Sequence, residues 1–170
     1  MTLSNIEKHD RLRELMSHFD TAMLVTHTEG ENLRSRPLAV VVDKTDPDKL
    51  YFSTALDSPK VLELEENPHV NVSMQDKRRF ISITGVARVT SDRALIDRLW
   101  SEGWKVWFPQ GKDDPELCLI IFEPIEATYW DASGMQGISY LFDMAKAYVS
   151  GERPSSDNDE RHVGTVEFDT

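Results

Sequence analysis

Arg36, Ser53, Thr54, Ser58 and Lys60 fall within one short stretch, SRPLAVVVDKTDPDKLYFSTALDSPKV. Two cations and three hydroxyls are the donor set of an oxyanion site. Ser58-Pro59 also carries a helix-start signature. Serine is a preferred N-cap, and proline is tolerated at the first helical position because its missing N–H would have no partner there. The free N–H groups and positive dipole end of such a start suit an anion, most often phosphate. If the strand carrying Arg36 lies beside the strand carrying Ser53 and Thr54, the five donors converge into a phosphate cradle. A plainer reading stands beside it: Ser-Pro opens many helices, and Arg and Lys flanking a sheet are usually solvated. No Walker-type loop and no G-x-G-x-x-G accompanies the stretch, which argues against a nucleoside triphosphate or a Rossmann site.

The elements that must position these residues follow from pattern. Ser4 and Glu7 match a capping box ahead of a helix over 4–18. Strands are predicted over 22–28 and 33–43, joined by the hairpin link Glu29-Gly30-Glu31-Asn32, and over 51–54. A short helix over 60–66 closes at Asn67-Pro68. Residues 69–75 alternate, with Val70, Val72 and Met74 on one face, and residues 79–90 alternate around Gly85, which marks a bulge or a close backbone approach. Ser91 is read as the cap of a helix running towards Gly103. Residues 117–122 read as a buried strand that resumes at 127–130 after a break at Glu123-Pro124. A last helix is expected over 140–149, and 151–170 reads as a loose acidic tail. The chain is thus one domain over 1–150 plus a tail over 151–170. Its class is mainly β (α+β), a small barrel of about six or seven antiparallel strands with peripheral helices, because the crossovers of a parallel sheet are missing.

Other chemistry is thin. The five histidines show no metal-ligand spacing, and the single cysteine, Cys118, excludes both an internal disulfide and a zinc site built from cysteine pairs. Lying in an apolar run, Cys118 reads as a buried, inert thiol. The adjacent acids Asp113 and Asp114 point apart and read as solvated. Trp100, Trp104, Trp107 and Phe108 divide between core packing and an interface or flat-ligand contact; Trp107-Phe108-Pro109 in particular sits in a polar segment. A formal charge of −11 repels nucleic-acid phosphates and anionic lipid, so neither is expected as a partner. With no apolar run of membrane-spanning length and no secretion-type N-terminus, a cytoplasmic location is the expectation.

Several segments in order, TAMLVT, SRPLAVVV, LYFSTALDSPKV, ENPHVNVSM, ISITGVARVTSDRALIDRLW, WKVWFPQGKDDPELCLIIFEP and TYWD, together resemble the pyridoxamine 5′-phosphate oxidase-like proteins. The nearest branch is the bacterial general stress protein group of FMN-binding split barrels. The resemblance spans about residues 5–150 and implies a split-barrel homodimer with two FMN sites in the dimer interface. It further implies that Arg36, Pro37 and Leu38 line the flavin ring and ribityl side. Ser53 and Thr54 would contact ribityl or phosphate, and Ser58 and Lys60 would hold the phosphate. Trp107, Phe108 and Trp130 would approach the flavin from the other subunit.

One departure stands out. The oxidases of the family carry an Arg-x-His motif after the tryptophan to hold pyridoxamine, whereas this chain has DASGMQGISYLF there. Pyridoxamine phosphate oxidase activity is therefore not expected. The leading expectation is a flavoprotein, with FMN as cofactor and FAD as the alternative, acting as an oxidoreductase of unnamed substrate with NAD(P)H or another small electron donor. A flavin-binding stress or sensor module without turnover is the competing reading. Haem in the same cleft is a weaker third, since no axial ligand stands out.

Overall fold

The computed structural model describes residues 3–133 and 163–168. Helix α1 (Asn5–Met16) begins at the capping box: the Glu7 amide donates to Ser4 Oγ at 3.3 Å and the Ser4 amide to Glu7 Oε2 at 2.8 Å. Strands β1 (Thr21–His27) and β2 (Leu33–Ala39) form the expected hairpin, turned by a short 3₁₀ segment in which Gly30 takes φ 76°. That left-handed conformation is open to glycine and strained for other residues.

The strand expected over 33–43 is in fact two. β2 ends at Ala39, and β3 (Val41–Asp43) pairs with β4 (Asp46–Ala55) instead of with β1. In the sheet order β2-β1-β5-β6-β7-β4-β3, β2 and β3 occupy opposite ends. Only Val40 separates them in sequence, so the sheet must curl until its two edges meet at that residue. This is the split barrel, mainly β with peripheral helices, with every strand pair antiparallel.

Helix α2 (Pro59–Glu66) precedes β5 (His69–Gln75) and β6 (Arg79–Thr90), which fall where alternation predicts them. Helix α3 (Arg93–Leu99) is capped by Asp92, whose Oδ1 accepts from the Ala94 amide at 2.9 Å, and not by Ser91. It ends before Trp100, so Trp100 and Trp104 do not share a helix. Their rings still meet edge to face at 5.6 Å.

Strand β7 (Leu117–Asp131) is continuous through Glu123-Pro124. The expected break is a bulge: Thr84 pairs with Glu126 and Gly85 with Pro124, leaving Ile125 as the extra residue. A bulge is where a strand accommodates proline, whose nitrogen has nothing to donate. Gly85 sits opposite because an added Cβ would lie 2.3 Å from the Glu123 carbonyl oxygen.

The unbroken apolar run of β7 has a physical reason. Ile120 and Phe122 face the barrel core with Leu50, Phe52, Val72, Ile81 and Tyr129. Leu117, Leu119 and Ile121 face a second core built on α3 and on Trp104 and Phe108. A strand covered on both faces loses its polar alternation.

The loose tail expected over 151–170 contains a strand. Residues Val163–Glu167 form β8, paired with the second half of β7. The helix expected over 140–149 lies outside the described residues.

Candidate functional site

Thr54 and Ser53 are neighbours on β4 and therefore point to opposite faces. Thr54 is buried on the side of Phe52, while Ser53 lies on the side of Tyr51 and Ala55. Lys60 stands in the first turn of α2, and its ammonium donates to Thr54 Oγ1 at 3.0 Å and to Ser58 Oγ. Ser58 holds the N-cap position, but its hydroxyl serves Lys60 and makes no cap hydrogen bond. Burial, and after it the nearby Arg36 charge, push the Lys60 ammonium below its usual range.

Arg36 reaches the same region from β2. Its Nη1 donates to Thr26 Oγ1 at 2.6 Å and more weakly to the Leu24 carbonyl at 3.4 Å, and its Nη2 donates to Glu63 Oε2 at 2.6 Å. The other oxygen of Glu63 accepts from Arg34 Nη1 at 2.9 Å. The Thr26 hydroxyl completes the set, donating to Glu63 Oε2 at 2.6 Å. Strand register explains the assembly: β1 pairs Thr26 with Arg34 and Leu24 with Arg36, so both arginines share one face of β2.

Arg36, Thr54, Ser58 and Lys60 are thus brought together at one end of the barrel. The other residues named from the sequence lie elsewhere. Leu38 shares the inward side of β2 with Arg36 and packs on the main core, while Pro37 points to the opposite, exposed face. Trp107 is 78% exposed and Trp130 43% exposed, so both are open to another surface. Phe108 is 4% exposed and belongs to the second core of its own chain.

Three members of the cluster, Glu63, Thr26 and Arg34, are absent from the sequence reading. A signal for them exists. Arg34, Arg36 and Leu38 fall on one side of a strand, Thr26 falls on the buried side of β1 after Ala22 and Leu24, and inward arginines need an acid. Asp114, read as solvated, is also buried, with its Oδ1 accepting from the Glu116 amide at 3.0 Å. Cys118 matches expectation: buried, with its thiol donating to the Thr54 carbonyl at 3.3 Å and pushed up by burial to about 11.

Burial alone pushes the Glu63 carboxyl up, but the Thr26 hydroxyl and the Arg36 and Arg34 charges outweigh it and hold the group below the usual carboxylate range. A depressed folded value means stability that is present above the ordinary value of 4.5 and lost as pH falls through the folded one. In urea unfolding followed from neutral to acid pH, Glu63→Gln should flatten that limb. An acid limb identical to the native chain's would show that Glu63 does not titrate with unfolding.

The donor set suits a phosphate ester. A cation whose hydrogen-bond partners among the described residues are hydroxyls, a second cation beside it and a helix start converge, and charge-assisted hydrogen bonds to an oxyanion are the strong ones. Among the described residues no helix is long and apolar enough to cross a membrane.

With this geometry in place, comparison with known proteins is informative. General stress protein 26 of Bacillus subtilis (strain 168) is 26% identical over 134 residues, covering 76% of this chain and 92% of the relative. A solved structure from Jannaschia sp. CCS1, assigned to general stress protein 26, shares the fold with a TM-score of 0.71 at 23% identity, covering 97% of this chain and 100% of that one. The general stress FMN/FAD binding protein of Xanthomonas citri gives a TM-score of 0.66 at 25% identity, over 76% of this chain and 92% of its own. The family described as "Pyridoxamine 5'-phosphate oxidase like" matches residues 7–155, a span that contains every residue of the cradle. This chain therefore belongs to the pyridoxamine 5′-phosphate oxidase-like family, in company with the general stress protein 26 group.

Proposed function

We propose that this protein is a homodimeric flavoprotein that holds FMN by its phosphate in the Lys60 cradle and uses the flavin in a redox reaction. The observation that carries this reading is the Lys60 ammonium. It is half-buried, its hydrogen-bond partners are the hydroxyls of Thr54 and Ser58, and among the described residues no carboxylate forms an ion pair with it. A desolvated cation without an acid is costly unless an anion completes it.

Lys60, Ser58 and Thr54 would hold the phosphate, with Arg36 as the second cation and Leu38 on the same inward side of β2. Ser53, facing the other way, is left as a contact to ribityl or to the second core. A second copy of the chain is supported by the exposed row Phe80, Trp130 and Val163, aligned across β6, β7 and β8, and by exposed Val106 and Trp107. Trp107 and Trp130 of that copy would close over the rings and exclude water.

Bound flavin supplies hydride or electron transfer. The protein's own contribution is grip, orientation and exclusion of solvent. Among the described residues the one acid of the cluster, Glu63, is committed to Thr26, Arg34 and Arg36 and is not free to move a proton. That commitment favours a second reading, a flavin-binding stress module without turnover.

Titration of the purified protein with FMN, and separately with FAD, should quench flavin fluorescence, with FMN the tighter ligand. Anaerobic NADH or NADPH should then bleach the bound flavin. Fluorescence unchanged on titration removes both readings; quenching without bleaching by either nicotinamide leaves the second.

A further inference from the structure

We infer that Glu63 is a positioning residue, which through a closed ring of hydrogen bonds with Thr26 fixes the Arg36 guanidinium for the anion held at Lys60. The inference rests on the phosphate reading of the cradle and adds to it a residue that need not touch the ligand.

The ring has three sides. Arg36 Nη1 donates to Thr26 Oγ1 at 2.6 Å, Thr26 Oγ1 donates to Glu63 Oε2 at 2.6 Å, and Arg36 Nη2 donates to the same Glu63 oxygen at 2.6 Å. Two nitrogens of one planar fork are thereby tied, which fixes the plane of the guanidinium as well as its place. Thr26 is fully buried, so the ring is anchored in the barrel wall.

Arg34 provides an internal comparison. It lies two residues away on the same strand face and meets the same carboxylate, yet among the described residues its side chain makes one hydrogen bond and is 58% exposed, against 16% for Arg36. One arginine is held and the other is loosely tethered. The held one is the one whose charge Lys60 feels.

The helix supplies the connection. Lys60 and Glu63 are three residues apart on α2 and so lie on neighbouring positions of its surface. One cradle cation is on the helix itself, and the second, on β2, is oriented from the same helix. Three of the five N–H donors of Arg36 account for the contacts seen, which leaves donors of the fixed fork for an incoming oxyanion. A donor already in place binds without the cost of ordering it.

A purely electrostatic or purely structural role for Glu63 predicts something different. If its negative charge merely opposed the ligand, removing that charge would tighten the ester. If it merely held α2 to the barrel, its loss would loosen Lys60 and Ser58 with the helix and weaken the phosphate-dependent affinity whether or not Arg36 is present. Positioning predicts a loss of the phosphate-dependent affinity only while Arg36 is present.

The test is the ratio of the dissociation constants of riboflavin and FMN, measured by fluorescence titration of the full chain. Glu63→Gln and Thr26→Val should each lower that ratio about tenfold, one hydrogen-bond contribution of order 1.4 kcal/mol. Thr26→Ser, which keeps the hydroxyl, should restore it. Glu63→Gln made in an Arg36→Gln background should change the ratio no further. Should Glu63→Gln fail to fold by circular dichroism, the Thr26 pair carries the test, since both are small changes. A ratio that rises or stays level in Glu63→Gln or Thr26→Val overturns the inference. So does an equal fall for Thr26→Ser. Lys60→Ala separates the two levels: a ratio unmoved by Lys60→Ala removes the phosphate reading itself, whereas a ratio moved there but not by Glu63→Gln removes only the positioning role.

Discussion

Lys60→Ala should loosen FMN by about 1.5–3 kcal/mol, roughly 10- to 150-fold in Kd, while riboflavin should bind as it does to the native chain. The size follows from what is removed: a hydrogen bond to a charged oxygen, made by an ammonium already stripped of part of its water. The selectivity follows from place, because Lys60 lies with Thr54 and Ser58 at the helix start proposed to hold the phosphate. The free protein should not suffer, since the change deletes a partly desolvated cation that forms no ion pair among the described residues. Equilibrium titration of both flavins against both chains, with thermal unfolding alongside, measures all three statements. An equal loss for FMN and riboflavin would place the phosphate somewhere else.

Gly85→Ala is expected to cost about 3 kcal/mol of stability, the upper part of the range for overpacking. The new carbon would stand 2.3 Å from the Glu123 carbonyl oxygen and 2.7 Å from the Phe122 ring. Neither can yield cheaply. Glu123 is backbone in the longest strand, and Phe122 is fully buried in the main core. Relief would require β6 and β7 to separate at the bulge, breaking ladder hydrogen bonds beside it. In urea unfolding the midpoint should fall with the slope unchanged, the sign of a stability change alone. A loss below about 1 kcal/mol would mean that the bulge is soft and the close approach is not a constraint.

Local chemistry was legible wherever it was decided locally. The capping box of α1, the alternation of β5 and β6 and the Pro59 start of α2 are all set by neighbours in sequence. What escaped was decided by pairing. The split of the strand at Val40 depends on which edge each half joins, and the run from Leu38 to Val42 is apolar on both sides of the split. The bulge at Pro124 looks like a break until β6 is laid beside it. β8 is a five-residue segment of a polar tail, and only its partner β7 makes it a strand.

The site divides in the same way. Lys60, Ser58 and Thr54 were visible as types near a helix start. Glu63 was not, because nothing along α2 says that Arg36 and Thr26 will arrive there from another part of the barrel. Phe108 and Trp107 were told apart only by the fold: adjacent aromatics read alike, yet the two face opposite ways, one outward and one into the second core.

The seam at Val40 has a bearing on how the chain folds. Hairpins β1–β2, β3–β4 and β5–β6 each join strands close in sequence, and the first two share a continuous stretch of backbone. Bringing the two rims together therefore adds almost no chain-entropy penalty, whereas zipping β7 between β6 and β4 must span the α3 segment on one side and more than half the barrel on the other. The rate-limiting event should accordingly be the insertion of β7, with the rim already stitched before the interior is dry.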